Sequence, residues 1–231
     1  MSERTSITTQ AGAFSAYVAR PEAAKAPAVV VIQEIFGVNR VMREVCERLA
    51  GAGYVAVCPD LFWRLEPDVD ITDQSQAEWD KAFDLMTRFD VDQGVEDIRA
   101  AVDQIRGSDG CNGKVGAVGY CLGGRLAFLT ATRADSDASV GYYGVGIEAY
   151  LGEAEKLAHP LMLHIAEEDG FVPKEAQALI LGALKDHPQV TLHSYPGCDH
   201  AFARPGGAHY DAKAAAEADG RTLAFFRQNL G

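Results

Sequence analysis

Lys114-Val115-Gly116-Ala117-Val118-Gly119-Tyr120-Cys121-Leu122-Gly123-Gly124 is the stretch on which the fold of this 231-residue chain turns. Val115 to Val118 is a short apolar run of strand type, and residues 122–133 read as a helix. Between them a cysteine stands with glycines two residues to either side. Strand, tight turn and helix in direct succession is the setting of a G-x-S-x-G nucleophile elbow, here with Cys121 in the serine's place. So tight a turn strains its central residue, and neighbours carrying a Cβ would collide with strand or helix. Cys121 is therefore expected at the carboxyl edge of a sheet and at a helix N-terminus, where unpaired N–H groups and the helix dipole favour a thiolate. The competing role for a lone cysteine is small buried packing. Agreement of motif, strand and helix favours chemistry.

On both sides of that turn strands alternate with helices. Upstream, Ala28-Val29-Val30-Val31-Ile32 is a continuous apolar run of a strand covered on both faces, and residues 40–50 follow with helical spacing of Val41, Val45 and Leu49. A strand over 54–58 and a helix over 95–105 come next. Downstream, strands are predicted over 138–143, 160–165 and 190–195, with helices over 174–185 and 209–228. Such alternation means parallel crossovers, a mainly parallel twisted sheet with helices on both faces. Residues 5–9 and 14–19 flank Gln10-Ala11-Gly12-Ala13 and predict an N-terminal antiparallel hairpin. Residues 60–90 turn acidic and polar, with Asp68, Asp70 and Asp73 ahead of an aromatic helix over 79–89. That is expected to be an excursion over the mouth of the sheet. No linker or repeat interrupts the pattern, so residues 1–231 are expected to form a single α/β domain.

A catalytic thiol needs a base and a third group that holds the base in the right tautomer. After Cys121, the strand at 160–165 runs into Ala166-Glu167-Glu168-Asp169-Gly170, and the strand at 190–195 into Pro196-Gly197-Cys198-Asp199-His200. Nucleophile, acid, histidine is the chain order of an α/β-hydrolase fold, with Asp169 and His200 completing the triad. Glu167, Glu168 and Asp199 are rival acids. Of the other histidines, His164 lies inside a strand and reads as a core or face residue; His159, His187, His193 and His209 fall at element ends or surfaces. The oxyanion hole of this architecture draws one N–H from the residue after the nucleophile, Leu122, and one from the loop after an early strand, for which Ile35 is expected. Glu34 beside it would oppose thiolate formation unless paired or protonated, which suggests control of Cys121.

Composition narrows the partners. A net charge of −12 with no basic run removes the electrostatic footprint of a nucleic-acid binder. No apolar stretch of about 18 residues is present to span a bilayer, and Met1-Ser2-Glu3-Arg4-Thr5-Ser6 lacks a signal peptide's apolar segment, so a cytoplasmic protein without membrane contact is expected. Five cysteines without paired close spacing fit reduced thiols rather than disulfides or a metal site. Cys46, Cys58, Cys111 and Cys198 all lack elbow context.

Gln33-Glu34-Ile35-Phe36-Gly37-Val38-Asn39, Cys58-Pro59-Asp60-Leu61, the elbow, Gly141-Tyr142-Tyr143-Gly144 and His200-Ala201-Phe202-Ala203-Arg204 occur in this order. In them the chain resembles the dienelactone hydrolase (carboxymethylenebutenolidase) family over nearly its whole length. The resemblance implies an ester hydrolase, free of cofactor and metal, that opens an unsaturated, carboxylate-bearing lactone to a maleylacetate-type product through a thioester. Such enzymes act in aromatic-compound catabolism. It further implies that Glu34 contacts the resting thiol and that Arg204 grips the substrate carboxylate, which displaces the glutamate. Phe36 and Tyr142 are expected as further substrate contacts. A second family arginine falls at Trp79, and an indole cannot form a bidentate ion pair. Trp79 is thus either lid packing or a changed substrate wall, with Arg43, Arg64 and Arg88 nearby as substitutes or as ordinary surface ion pairs. Ala201 stands where the best-known members carry a serine. The expected partner is a small anionic ester or lactone, the expected assembly a monomer or weak homodimer. The alternatives are a carboxylesterase or thioesterase for another small ester, and a redox-sensing thiol protein, which would want a resolving cysteine.

Overall fold

Thr9 turns the chain back on itself: its hydroxyl accepts the Ala11 N–H at 3.2 Å and donates to the Gly12 carbonyl at 3.0 Å. The strands on either side, β1 (Ser2–Thr9) and β2 (Gly12–Ala19), pair antiparallel from Ser2↔Ala19 to Thr9↔Gly12. This is the predicted hairpin, longer than alternation alone suggested. The structure is a computed structural model describing residues 2–231. The chain divides into two compact units, Met1–Ala117 and Val118–Gly231.

In the first unit β2 also pairs antiparallel with β4 (Val55–Pro59), and β4 runs parallel to β3 (Ala26–Ile32), giving the order β1-β2-β4-β3. Val29 to Ile32 are wholly buried, as a strand covered on both faces requires. Helix α1 (Arg40–Gly51) starts where Asn39 accepts the Met42 N–H at 3.2 Å, and it buries Met42, Val45, Cys46 and Leu49. The acidic excursion carries α2 (Gln76–Arg88). It begins ahead of the predicted Trp79 because the Ser75 hydroxyl caps it, accepting the Glu78 N–H at 3.3 Å and donating to the Glu78 carboxylate at 2.8 Å. Likewise α3 (Val91–Arg106) begins before the predicted Val95, since the Asp90 side chain caps it through the Gln93 N–H at 3.0 Å.

Strand β5 (Cys111–Tyr120) carries the chain into the second unit. There α4 (Leu122–Arg133), β6 (Ala138–Tyr142), β7 (Leu161–Ala166), α5 (Lys174–Leu184), β8 (Val190–Tyr195) and α6 (Ala212–Leu230) follow. β6, β7 and β8 are parallel neighbours in that order, with Tyr142, His164 and His193 side by side. Between its ends α4 buries every residue except Arg125, so it reads as apolar all round. Thr130 satisfies its hydroxyl on the Leu126 carbonyl at 2.7 Å. Pro160 lies just outside β7 although the apolar run includes it: lacking an N–H, it contributes only its carbonyl, to Ser139 at 2.9 Å. A 3₁₀ stretch, Ile147–Lys156, had no periodicity to announce it. Among the described residues no helix is long and apolar enough to cross a membrane.

Candidate active site

Cys121 sits between β5 and α4 with φ 56° and ψ −116°, left-handed backbone that costs an L-residue about 1–2 kcal/mol. Three features hold it there. Its N–H donates to the Tyr142 carbonyl at 3.1 Å, and its own carbonyl accepts from Gly124 at 2.9 Å and from Val145 at 3.3 Å. A Cβ on Gly119 would lie 1.9 Å from the Gly123 carbonyl oxygen, which explains that glycine of the elbow. Gly124 is equally constrained, since a Cβ there would stand 2.5 Å from the Tyr142 carbonyl oxygen. The motif's third glycine therefore serves the seating of α4 on β6.

Asp169 and His200 meet at the ends of β7 and β8. The His200 Nδ1 lies 3.0 Å from each Asp169 carboxylate oxygen, both side chains being almost completely buried. Asp169 also accepts the Phe171 and Val172 amides at 2.8 and 3.1 Å, which fixes the orientation of its carboxylate. A further hydrogen bond joins the imidazole to Cys121. Burial alone would push the His200 pKa down. The facing Cys121 and the Asp169 carboxylate outweigh it and raise the imidazole to about 10. The rival groups are occupied elsewhere: Glu168 pairs with Lys174 at 3.0 Å, His159 with Asp135 at 3.6 Å, and His209 with Asp199 at 3.1 Å.

Two aromatic rings bracket the imidazole edge-on, Tyr143 at 5.0 Å and Phe171 at 4.8 Å. Neither stood out in the sequence. Tyr143 is the first residue past β6 and takes a positive φ of 37°, so it escapes the strand's alternation; Phe171 follows the acid's turn and is 45% exposed. Tyr142, expected against the substrate, is instead fully buried, its hydroxyl shared by Thr222 at 2.7 Å and Asp219 at 3.2 Å. It reaches Cys121 through its carbonyl, which accepts the Cys121 N–H at 3.1 Å. Arg204 is buried in the turns after His200, its N–H on the Ala201 carbonyl at 2.9 Å.

In the first unit Glu34, Ile35 and Phe36 are buried just beyond β3. The Phe36 ring meets Trp79 edge-on at 5.1 Å, and Trp79 stacks on Phe83 at 5.4 Å while donating its indole N–H to the Asp73 carbonyl at 3.0 Å. Each of the three nearby arginines has a carboxylate partner: Arg43 with Asp70 at 2.7 Å, Arg88 with Asp84 at 2.8 Å, and Arg64 with the buried Asp97.

Known proteins share this design. The profile of the Dienelactone hydrolase family matches residues 14–230. A "Putative carboxymethylenebutenolidase" of Azospirillum brasilense is 52% identical over 231 residues, 95% of each chain. The carboxymethylenebutenolidase of Pseudomonas putida is 42% identical over 226 residues, 97% of this chain and 96% of its own. A crystal structure of a "Putative Dienelactone Hydrolase" from Klebsiella pneumoniae subsp. pneumoniae superposes with a TM-score of 0.86 at 29% identity, covering 99% of this chain and 98% of that one. The protein is accordingly a carboxylic-ester hydrolase with the α/β-hydrolase fold, its mixed eight-stranded sheet opened by the antiparallel β1–β2 hairpin. Within that class the chain belongs to the dienelactone hydrolase family.

Proposed function

We propose that the protein opens an unsaturated, carboxylate-bearing lactone of the dienelactone type, with Cys121 as nucleophile and a thioester acyl-enzyme as intermediate. The observation that carries this reading is the His200 imidazole, bonded to both Asp169 oxygens and to Cys121 and raised to about 10. Once substrate has displaced Glu34, a proton resident on His200 leaves the sulfur free to attack. As the lactone C–O bond breaks, the imidazolium gives that proton to the departing enolate oxygen, which remains part of the acyl chain. Neutral His200 then takes a proton from water as the hydroxide adds to the thioester; collapse expels the thiolate and restores the ion pair. Asp169 keeps the ring in one orientation throughout.

Around this centre we assign the oxyanion to the amides of Leu122 and Ile35, by the architecture's rule. From the family resemblance, Glu34 governs when Cys121 carries its charge, and an anionic substrate held by Arg204 releases it. Trp79, Phe36 and Phe83 form an aromatic cluster where the family has its second arginine, which favours a second reading: an esterase for small aryl esters. We read residues 1–231 as one catalytic domain of a cytoplasmic monomer or weak homodimer.

Rates on cis- and trans-dienelactone beside p-nitrophenyl esters separate the two substrates. A kcat/KM at least about tenfold higher for a dienelactone supports the first reading, and the reverse order supports the second. Turnover that survives Cys121→Ala sinks both.

A further inference from the structure

Strands β7 and β8 end at Ala166 and Tyr195, and the loops that carry Asp169 and His200 follow them. The ladder continues briefly beyond the strands, through Glu167 N–H to the Tyr195 carbonyl at 3.2 Å and Glu168 N–H to the Cys198 carbonyl at 2.8 Å. One step further the bonding changes from carbonyl to side chain. There Asp199 takes over: its Oδ1 accepts the Gly170 N–H at 2.9 Å and the His200 N–H at 2.6 Å. One carboxylate oxygen thus ties the residue after the triad acid to the triad histidine itself.

We propose that Asp199 is a positioning residue for the hydrolytic reaction, its Oδ1 extending the β7–β8 ladder so that the Asp169 and His200 loops keep a fixed separation. The proposal rests on the assignment of Cys121, Asp169 and His200 as the triad. Two observations make the tie matter. Ala201, directly after His200, has φ 62°, a left-handed conformation that L-residues other than glycine rarely adopt, so the histidine's loop is under strain and must be held. Burial would raise the Asp199 pKa, yet the Gly170 and His200 amides, with His209 and His200, hold it below the usual range, leaving an anionic acceptor. Its second oxygen faces the half-exposed His209 at 3.1 Å, outside the tie. Asp199 does not touch the reacting atoms; it sets the distance between those that do.

The test compares Asp199→Ala, which removes the acceptor, with Asp199→Asn, which keeps one carbonyl oxygen for both amides. In the full chain, assayed on a p-nitrophenyl ester, D199A is expected to lose about 10- to 100-fold in kcat with KM within about twofold, the penalty of a misplaced catalytic group. D199N should stay within about threefold of wild type. Amide hydrogen exchange supplies a readout independent of turnover. Gly170 is exposed, so its N–H should be protected in wild type and in D199N only because a side-chain oxygen at position 199 accepts it, and unprotected in D199A. Should D199A not fold, protection in wild type and D199N carries the test. An undiminished kcat in D199A, a D199N as slow as D199A, or free exchange of the Gly170 amide in wild type each overturns the proposal. Survival of activity in C121A would overturn the triad assignment instead, leaving the exchange result untouched.

Discussion

Two histidines of the second unit are buried almost equally, His164 at 1% exposure and His200 at 4%, and they titrate in opposite directions. His200 is raised to about 10, while His164 is driven well below its ordinary value. Burial pushes both down, so burial does not decide. Partners do. His200 faces two acidic groups, Cys121 and Asp169. His164 meets hydroxyls, Tyr195 at its Nδ1 (2.8 Å) and Thr222 at its Nε2 (3.0 Å), with the positive influence of His193 and Arg221 adding to its desolvation. One donor direction satisfies every bond around His164: Arg221 to Tyr195, Tyr195 to His164 Nδ1, His164 Nε2–H to Thr222, Thr222 to Tyr142, Tyr142 to Asp219. That chain needs a neutral imidazole with its proton on Nε2. The same residue type is therefore held protonated in the loop after β8 and neutral, as a structural relay, within β7.

The contrast implies opposite pH signatures. Because folding raises His200, its contribution to stability is complete below about pH 6.5 and fades as pH climbs towards 10. Folding depresses His164, so stability is lost as pH falls below about 6.5, where only the unfolded chain gains the proton. The largest expected effect comes from removing the sulfur that faces His200. Cys121→Ala should reduce ester turnover to background, and NMR titration of the His200 ring should show its pKa falling from about 10. An unmoved titration would mean that Cys121 is not what sets His200 apart. Next comes Asp169→Asn, expected to cost about 10³- to 10⁴-fold in kcat through loss of the orienting carboxylate. It should also bring the alkaline limb of the rate profile down from about pH 10.

Much of this site could be read from the chain, and the boundary of what could be read is physical. Gly119, Cys121 and Leu122 lie within four residues of one another, and a local turn imposes their pattern. Asp169 and His200 sit just after apolar strands whose ends must lie at one edge. His164 was placed as a core or face residue because it falls inside such a strand, and it is in the core. Tyr142 and Tyr143 could not be told apart: adjacent residues at a strand end point opposite ways, and the positive φ that turns Tyr143 to His200 has no sequence signature in a non-glycine residue. The same holds for Ile147–Lys156, whose 3₁₀ geometry leaves no 3.6-residue period. The early starts of α2 and α3 were written in Ser75 and Asp90, caps that apolar periodicity passes over.

The relay around His164 offers the smaller tests, since its work is structural. Thr222→Val cuts the chain at its middle and strands the His164 Nε2–H, while the Tyr142 hydroxyl keeps its bond to Asp219; one buried unsatisfied group costs about 1–3 kcal/mol. In a chain of this size each kcal/mol corresponds to roughly 2–4 °C of Tm. Activity per folded molecule should stay within about threefold, because the Tyr142 carbonyl on Cys121 is untouched. A collapse of kcat without a fall in Tm would show that the relay reaches Cys121 and that the two histidines are coupled.

Arg221→Gln is the mildest change. It removes the donor at the head of the relay and one of the positive groups that depress His164, together with a partly exposed ion pair to Glu217 at 2.5 Å. A stability loss of no more than about 1 kcal/mol at neutral pH is expected, as for other exposed pairs. The sharper sign lies in acid. With less positive charge nearby, His164 accepts a proton more readily in the folded state. The gap between its folded and unfolded pKa then narrows, and less stability should be lost below about pH 6.5 than in wild type. Urea melts at pH 7 and pH 5 measure this as a smaller difference between the two midpoints in R221Q. An unchanged or larger difference would leave desolvation and His193 as the groups that keep His164 neutral, and would remove Arg221 from the account of why two buried histidines part ways.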